Sequence, residues 1–231
     1  MTRPWAWAVA AAVAALAACN PAPRQEAPRP GADATAPIGA NTMTRTTPDL
    51  AALADQLLDD AARDRLPTPA GAASVRNATE LGERAVPLLR QRIEALGPDL
   101  LFALEALRLA QPDAYAALPA SRRAAAYATA LARSTYFNAW GQPGMQLTDT
   151  AHAVAALGAD AVTAMAPLLD DRRAAPAHGS QDATLSRMNG NRVCDFAWVL
   201  ILEARGEAYG YPTAPAERDT AIASLRASLT P

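Results

Sequence analysis

Leu81-Gly82-Glu83-Arg84-Ala85-Val86-Pro87-Leu88-Leu89 is the stretch on which the fold turns. Its opening recurs as Leu157-Gly158-Ala159-Asp160-Ala161-Val162, with Leu-Gly, two variable residues and Ala-Val kept at a spacing of 76. In both places glycine permits a tight turn between antiparallel helices, alanine lets them approach, and Val and Leu enter a shared core. A second register pairs Pro87-Leu88-Leu89 with Pro167-Leu168-Leu169, 80 residues further on. The two registers disagree, so the repeat is degenerate.

Helical signals extend outward from both copies. Thr47-Pro48-Asp49 reads as a cap, a first-turn proline and an acid, opening a helix with Leu50, Leu53, Leu57 and Leu58 on its apolar positions. Pro67 and Pro69 end it. Further helices are expected over 72–81, 84–96, 99–109, 112–118 and, capped by Ser121, to Arg133. Thr148 caps one to Leu157, and another covers Ala161–Leu169. The last two run from Arg192 to Arg205, closed by Gly206, and from Pro215 to Leu229. A long polar loop is expected over 170–190. No stretch alternates with period two for long enough to predict a strand.

Composition agrees with an all-α chain. Sixty of the 231 residues are alanine, the best helix former, and aromatics make up only 5%. All 21 basic residues are arginine, so a Schiff-base lysine is excluded. The net charge of −2 and a pI near 5.7 give no electrostatic footprint for nucleic acid. Two cysteines provide neither a disulfide framework nor a cysteine metal cluster.

The Leu-Gly-Glu-Arg-Ala-Val-Pro-Leu-Leu stretch resembles the second helix of a HEAT-like α-helical repeat, and the spacing of 76 approaches two units of roughly 40 residues. A second resemblance covers 157–206. There Pro167-Leu168-Leu169-Asp170-Asp171-Arg172 and Arg192-Val193-Cys194-Asp195-Phe196-Ala197 look like a variant of bacterial HEAT-repeat proteins in which a long loop joins two helices. The resemblance implies an antiparallel helix-pair superhelix, and no general enzymatic activity comes with it.

The N-terminus specifies a destination. Arg3 precedes an apolar run of 14 residues, Trp5 to Ala18, too short to span a bilayer as a permanent helix. Leu16-Ala17-Ala18-Cys19 resembles the bacterial lipobox. The resemblance implies cleavage before Cys19 and lipidation of its sulfur, with Asn20 favouring the outer membrane. Residues 1–18 are therefore expected to be a lipoprotein signal peptide and 19–47 a disordered tether of Pro, Ala, Gly and Thr. Residues 48–231 would form the helical domain.

Few residues suggest chemistry. Asp195 is a carboxylate within the apolar run Val193–Leu202. It could act as a general base, or it could pin the 170–190 loop through Arg172, Arg173 or Arg187. His152 and His178 lack metal-ligand or catalytic spacing, and Cys194 reads as a small core residue. Ser180 lacks the nucleophile-elbow context. Asp170-Asp171 are followed at once by Arg172 and Arg173, which suggests mixed surface charge. Tyr136, Phe137 and Trp140 could contact a partner or plug the end of the core.

These features predict a lipid-anchored, periplasm-facing scaffold. It would bind an unknown protein partner through a helical face or the 170–190 loop and use no cofactor. Two other classes stay open. One is an immunity- or inhibitor-type lipoprotein blocking an envelope enzyme. The other is a hydrolase with a site near Asp195.

Overall fold

The computed structural model describes residues 49–63 and 69–229. The expected signal peptide, Cys19 and the tether lie outside the described residues. The chain is predominantly helical. In order, the elements are α1 (Leu50–Ala62), α2 (Ala73–Leu81), α3 (Val86–Ala95), α4 (Leu100–Ala110), α5 (Pro112–Ala116) and α6 (Ala120–Arg133). A short antiparallel hairpin follows, β1 (Gly141–Gln142) and β2 (Gln146–Leu147). The chain then forms α7 (Asp149–Ala155), α8 (Ala159–Met165), α9 (Ser180–Asn189), α10 (Val193–Arg205) and α11 (Pro215–Leu229).

The turn glycines decide between the two repeat registers. Gly82 has φ 59° and ψ −139°, and Gly158 has φ 57° and ψ −126°. Nearly the same glycine-favoured turn therefore recurs 76 residues apart. The flanking positions follow suit: Ala85, Leu89 and Ile93 are buried, as are Ala161, Met165 and Leu169. Before the turns, Ser74, Val75 and Ala78 on α2 correspond to Thr150, Ala151 and Val154 on α7, and all six are buried.

Each hairpin of helices then packs on a central helix. α4 lies against α2 and α3, and α10 lies against α7 and α8. The two central helices are apolar nearly all round. Every residue from Leu100 to Leu107 and from Val193 to Leu202 is buried, as expected for helices enclosed on all sides. The units are linked by α6, which contacts both α4 and α8. They differ in one respect. Four residues, Leu96–Asp99, connect α3 to α4, whereas the stretch between α8 and α10 is long enough to contain α9.

Several expectations are corrected locally. The first helix starts at Leu50, because Asp49 is its cap and accepts from Ala52 N at 2.7 Å. Pro119, not Ser121, precedes the first residue of α6, and its carbonyl accepts from Arg122 and Arg123. The expected helix Ala161–Leu169 is instead α8 followed by a 3-10 turn, Ala166–Asp170. Pro167 has no N–H to continue the α-helical ladder there.

The expected 170–190 loop contains α9, which starts after Gly179 (φ 91°) and ends at the left-handed Gly190 (φ 56°). The hairpin also departs from the expected loop. Its turn uses Gly144 at φ 75°, where a Cβ would lie 2.1 Å from the Tyr211 Cβ, so only glycine fits beneath that side chain.

Candidate functional site

Asp195 sits in the first turn of α10 and is 0% exposed. Arg192, the residue before the helix, engages it with three donors. The Arg192 backbone N and Nε lie 2.9 and 3.1 Å from Oδ2, and Nη2 lies 2.9 Å from Oδ1. The Arg218 Nε, from α11, makes an ionic contact at 3.1 Å to Oδ1. The expected partners Arg172, Arg173 and Arg187 are thus corrected. Arg192 is three residues away on the same turn, and Arg218 arrives from the following helix.

Arg172 stops one link short, 2.6 Å from Asp219, which Arg192 also contacts at 2.8 Å. Arg173 turns to Asp171 and to the Ala132 carbonyl, and Arg187 folds back on Ala183 O. The segment before α9 is tied to α10 by backbone instead. Val193 N donates to Arg173 O at 3.0 Å and Cys194 N to Asp171 O at 2.8 Å.

The result is an alternating row, Arg172–Asp219–Arg192–Asp195–Arg218. Hydrogen bonds from Arg192 and Arg172 hold the Asp219 carboxyl below its ordinary range. Asp195 has both oxygens engaged and no exposed surface, so a substrate cannot reach it as the general-base reading would require. Arg218 is equally buried. Nη1 donates to Pro212 O and Thr213 O at 2.9 and 2.8 Å, and Nη2 to Asn189 O and Gly190 O at 2.7 and 3.1 Å. Its guanidinium also lies over the Tyr211 ring, 5.0 Å from the centroid. One side chain therefore binds the end of α9, the 212–213 turn, α10 and α11.

A second buried carboxylate, Glu105 on α4, escaped the sequence reading. It accepts from Tyr127 OH at 2.6 Å, Thr150 Oγ1 at 3.0 Å, and the Arg108 Nε and Nη2 at 3.0 and 2.6 Å. Tyr115 OH donates to Tyr127 OH at 3.4 Å. Burial, then the nearby Glu105, pushes the Tyr127 phenol well above its ordinary pKa. The signal was present, since Glu105 is the one charge in Leu100–Leu107 just as Asp195 is in Val193–Leu202. Arg218 had no such signal, because Ala216-Glu217-Arg218-Asp219 reads as ordinary helix surface.

The aromatic loop is divided. Phe137 and Trp140 are buried, which corrects their reading as partner contacts. Phe137 packs on Phe196 at 5.1 Å, and Trp140 meets Tyr127 edge-on while its Nε1 donates to Ser134 Oγ at 3.0 Å. Tyr136 is half-buried, with its ring 5.6 Å from that of His178.

His152, on α7, lines a hollow beside the hairpin, whereas the His178 ring lies edge-on to Tyr136, so the two imidazoles do not share a site. Asp170 and Asp171 also diverge, to Arg226 and Arg173. Among the described residues no group of three His, Cys, Asp or Glu is placed to hold a metal ion. Cys194 is a buried free thiol, and burial followed by the charge on Asp195 pushes it up to about 11. Ser180 is exposed at the start of α9, and its carbonyl accepts from Thr184.

The open surfaces lie elsewhere. One hollow of about 370 Å³ is lined by Asn138, Gln142, Gln146, Asp149 and Asp182 among others. Another of about 660 Å³ includes Met145, Gln146, His152, Glu203, Glu207 and Tyr209. A third, of about 360 Å³, has the apolar walls Leu96, Leu100, Leu101 and Phe102, with Arg133 at its edge. Arg133 there donates to the Leu96 carbonyl.

Fold and contacts together define an α-helical protein built on a duplicated helix-turn-helix pair, each pair closed by a buried central helix. No known family, curated protein or solved structure matches the chain.

Proposed function

We propose that this chain is a lipid-anchored protein of the bacterial envelope, held at the outer membrane, whose HEAT-like helical domain is a scaffold for a protein partner. The observation that carries the reading is the N-terminal sequence. An apolar run ends in Leu16-Ala17-Ala18-Cys19, and a Pro-, Ala- and Thr-rich spacer separates Cys19 from the first helix. Two or more acyl chains on such a cysteine give stable anchoring.

The duplicated units, α2–α3–α4 and α7–α8–α10, support the HEAT-like reading, since stacked helix pairs joined by tight turns are its construction principle. A binding role is supported by the two most exposed of the six large apolar side chains that the described residues leave on the surface. Met145 at the hairpin turn is 63% exposed and Met188 on α9 is 76% exposed. Flexible thioethers suit adaptable protein contacts.

The test is metabolic labelling with an alkyne fatty acid, followed by fractionation. The wild type takes the label and pellets with membranes, whereas Cys19→Ser takes none and is released. A Cys19→Ser protein that stays labelled and membrane-bound defeats the anchoring proposal. A photo-crosslinker at Met145 in living cells gives a discrete adduct if a protein docks there. Absence of any adduct at Met145 and Met188 defeats the scaffold reading.

A further inference from the structure

α9 is fastened to the domain by polar groups. The segment that carries it leaves and rejoins the body at one place, where Ala175 N donates to Asn191 O at 2.8 Å and Val193 N to Arg173 O at 3.0 Å. With the bridge between Ala174 and Arg192, these backbone bonds close the base of the excursion. The apolar side chains of α9 are Ala183, Leu185 and Met188, and among the described residues none of them packs on the core. A helix without buried apolar contacts sits at the low end of local stability, well below enclosed helices such as α4 and α10.

The two ends of α9 are held differently. At the C-terminal end the buried Arg218 donates to the Asn189 and Gly190 carbonyls, and Asn191 N donates to Ser186 O at 3.1 Å. Midway, the buried Ser186 hydroxyl donates to the Ala175 carbonyl at 2.8 Å. At the N-terminal end the work falls mainly to Asn138, which lies outside the helix. Its Oδ1 accepts from His178 N at 2.7 Å, and its Nδ2 donates to His178 O at 2.9 Å and to Asp182 Oδ2 at 3.0 Å. Gln142 adds one long contact of 3.4 Å to Asp182 O, and the Tyr136 ring lies edge-on to that of His178.

A hinge stands beside this latch. Gly179 joins His178 to the helix at φ 91°, and a Cβ there would meet nothing within 4 Å. The turn therefore has both glycine's conformational freedom and open space around it. The whole arrangement occupies the insertion that distinguishes the second unit from the first, where only Leu96–Asp99 join α3 to α4.

We propose that α9 is a strap latched by Asn138. It lifts at its N-terminal end by turning at Gly179, breaks the Ser186 bond, and pivots on the end held by Arg218. The central helices α4 and α10 and the paired base stay in place. Each broken latch bond is replaced by one to water, so its net contribution to holding the strap down is modest. Asp182 forms part of the wall of the hollow of about 370 Å³ beside the hairpin, so lifting opens that hollow. It also brings the carboxamides of Asn138 and Gln142, each 8% exposed with the strap down, out to solvent. The strap is thus a gate over buried hydrogen-bonding groups, and it operates independently of lipidation at Cys19 and of any protein partner.

The test is hydrogen exchange read by mass spectrometry on the full chain, purified in detergent. Peptides from 180–189 are expected to exchange about a hundredfold or more faster than those from 193–205. Asn138→Ala removes the latch from outside the helix and speeds exchange in 180–189 about tenfold, with no change in 193–205. Asp182→Asn, at a half-buried site, weakens the latch while keeping an acceptor, and speeds exchange in the same helix about threefold. It decides the matter if Asn138→Ala does not fold. The proposal is overturned if α9 and α10 exchange at one rate in the wild type. It is equally overturned if the folded variants leave 180–189 unchanged or speed both helices by the same factor.

Discussion

Replacing Arg218 with Met tests the central physical claim about the α9–α11 region. The guanidinium is fully buried and meets four carbonyls and the Asp195 carboxylate. Methionine fills much of the volume but supplies no donor. Asp195 then keeps Arg192 and a long contact from the Cys194 thiol, and the carbonyls of Asn189, Gly190, Pro212 and Thr213 each lose a charge-assisted bond. Breaking a buried pair by removing one partner costs about 3–5 kcal/mol. The lost carbonyl bonds overlap with that figure and do not simply add to it. For a domain of this size each kcal/mol moves the melting temperature by roughly 2–4 °C, so the expected drop is about 6–20 °C. Arg218→Lys keeps the charge, but a single ammonium has three donors for five acceptors, and its melting point falls between the other two. The assay is thermal unfolding followed by circular dichroism at pH 7. An Arg218→Met protein melting within about 2 °C of wild type would refute the account of Arg218 as the staple of this region.

Gly82→Ala and Gly158→Ala each lower stability by about 1–3 kcal/mol, and by closely similar amounts, because a Cβ at either site meets no atom within 4 Å and only the backbone conformation is strained. Chemical denaturation measures both, and a neutral result at one glycine would break the equivalence of the two units. Tyr127→Phe removes the 2.6 Å bond to Glu105 and costs about 1.5–3 kcal/mol, seen as a lower urea midpoint at unchanged slope. Cys194 stays unlabelled by a maleimide in the native protein at neutral pH and reacts on unfolding; rapid native labelling contradicts its burial. Asp219 has a depressed carboxyl pKa, so its stabilisation is present above the ordinary 3.8 and is lost as pH falls through the lower native value. The melting-point gap between wild type and Asp219→Asn is therefore largest at neutral pH and closes in strong acid, and a gap that widens in acid would reverse the sign.

The parts of this fold that sequence discloses are those fixed by local chemistry. Gly82, Gly158 and Gly206 announce turns because few other residues accept their conformations. The apolar faces of α2 and α3 show as helical periodicity, and α4 and α10 show as nearly continuous apolar runs. α9 is different. Ser180-Gln181-Asp182-Ala183-Thr184-Leu185-Ser186-Arg187-Met188-Asn189 buries only Ser186, so it has no apolar stripe to detect. Its place is set by distant groups, including Asn138 on Asp182, the Ala175 carbonyl on Ser186 and Arg218 on its last carbonyls. The candidate site divides in the same way. Asp195 stands out because an acid in an apolar run must find partners, yet which arginine answers it depends on where α11 returns. The two hollows beside the hairpin are formed by residues from three separate stretches, 138–152, Asp182 and 203–209, and no local pattern joins them.

Two of the four buried carboxylates among the described residues, Glu105 and Asp195, explain why a chain so rich in alanine holds one arrangement of helices. Alanine faces pack closely but resemble one another, so apolar contact alone separates the correct neighbour from a shifted one only weakly. Glu105 reaches from the first central helix to Tyr127 on α6 and Thr150 on α7, which carries the chain into the second unit. Asp195 reaches from the second central helix to Arg218 on α11. Each acid thus fastens its own unit to the element that follows it. A slipped register would leave the carboxylate buried without partners, a penalty larger than most single apolar contacts supply. On this argument Glu105→Leu and Asp195→Leu need not be the most destabilising variants. They are the ones expected to broaden the unfolding transition, because what they remove is the discrimination between neighbouring packings.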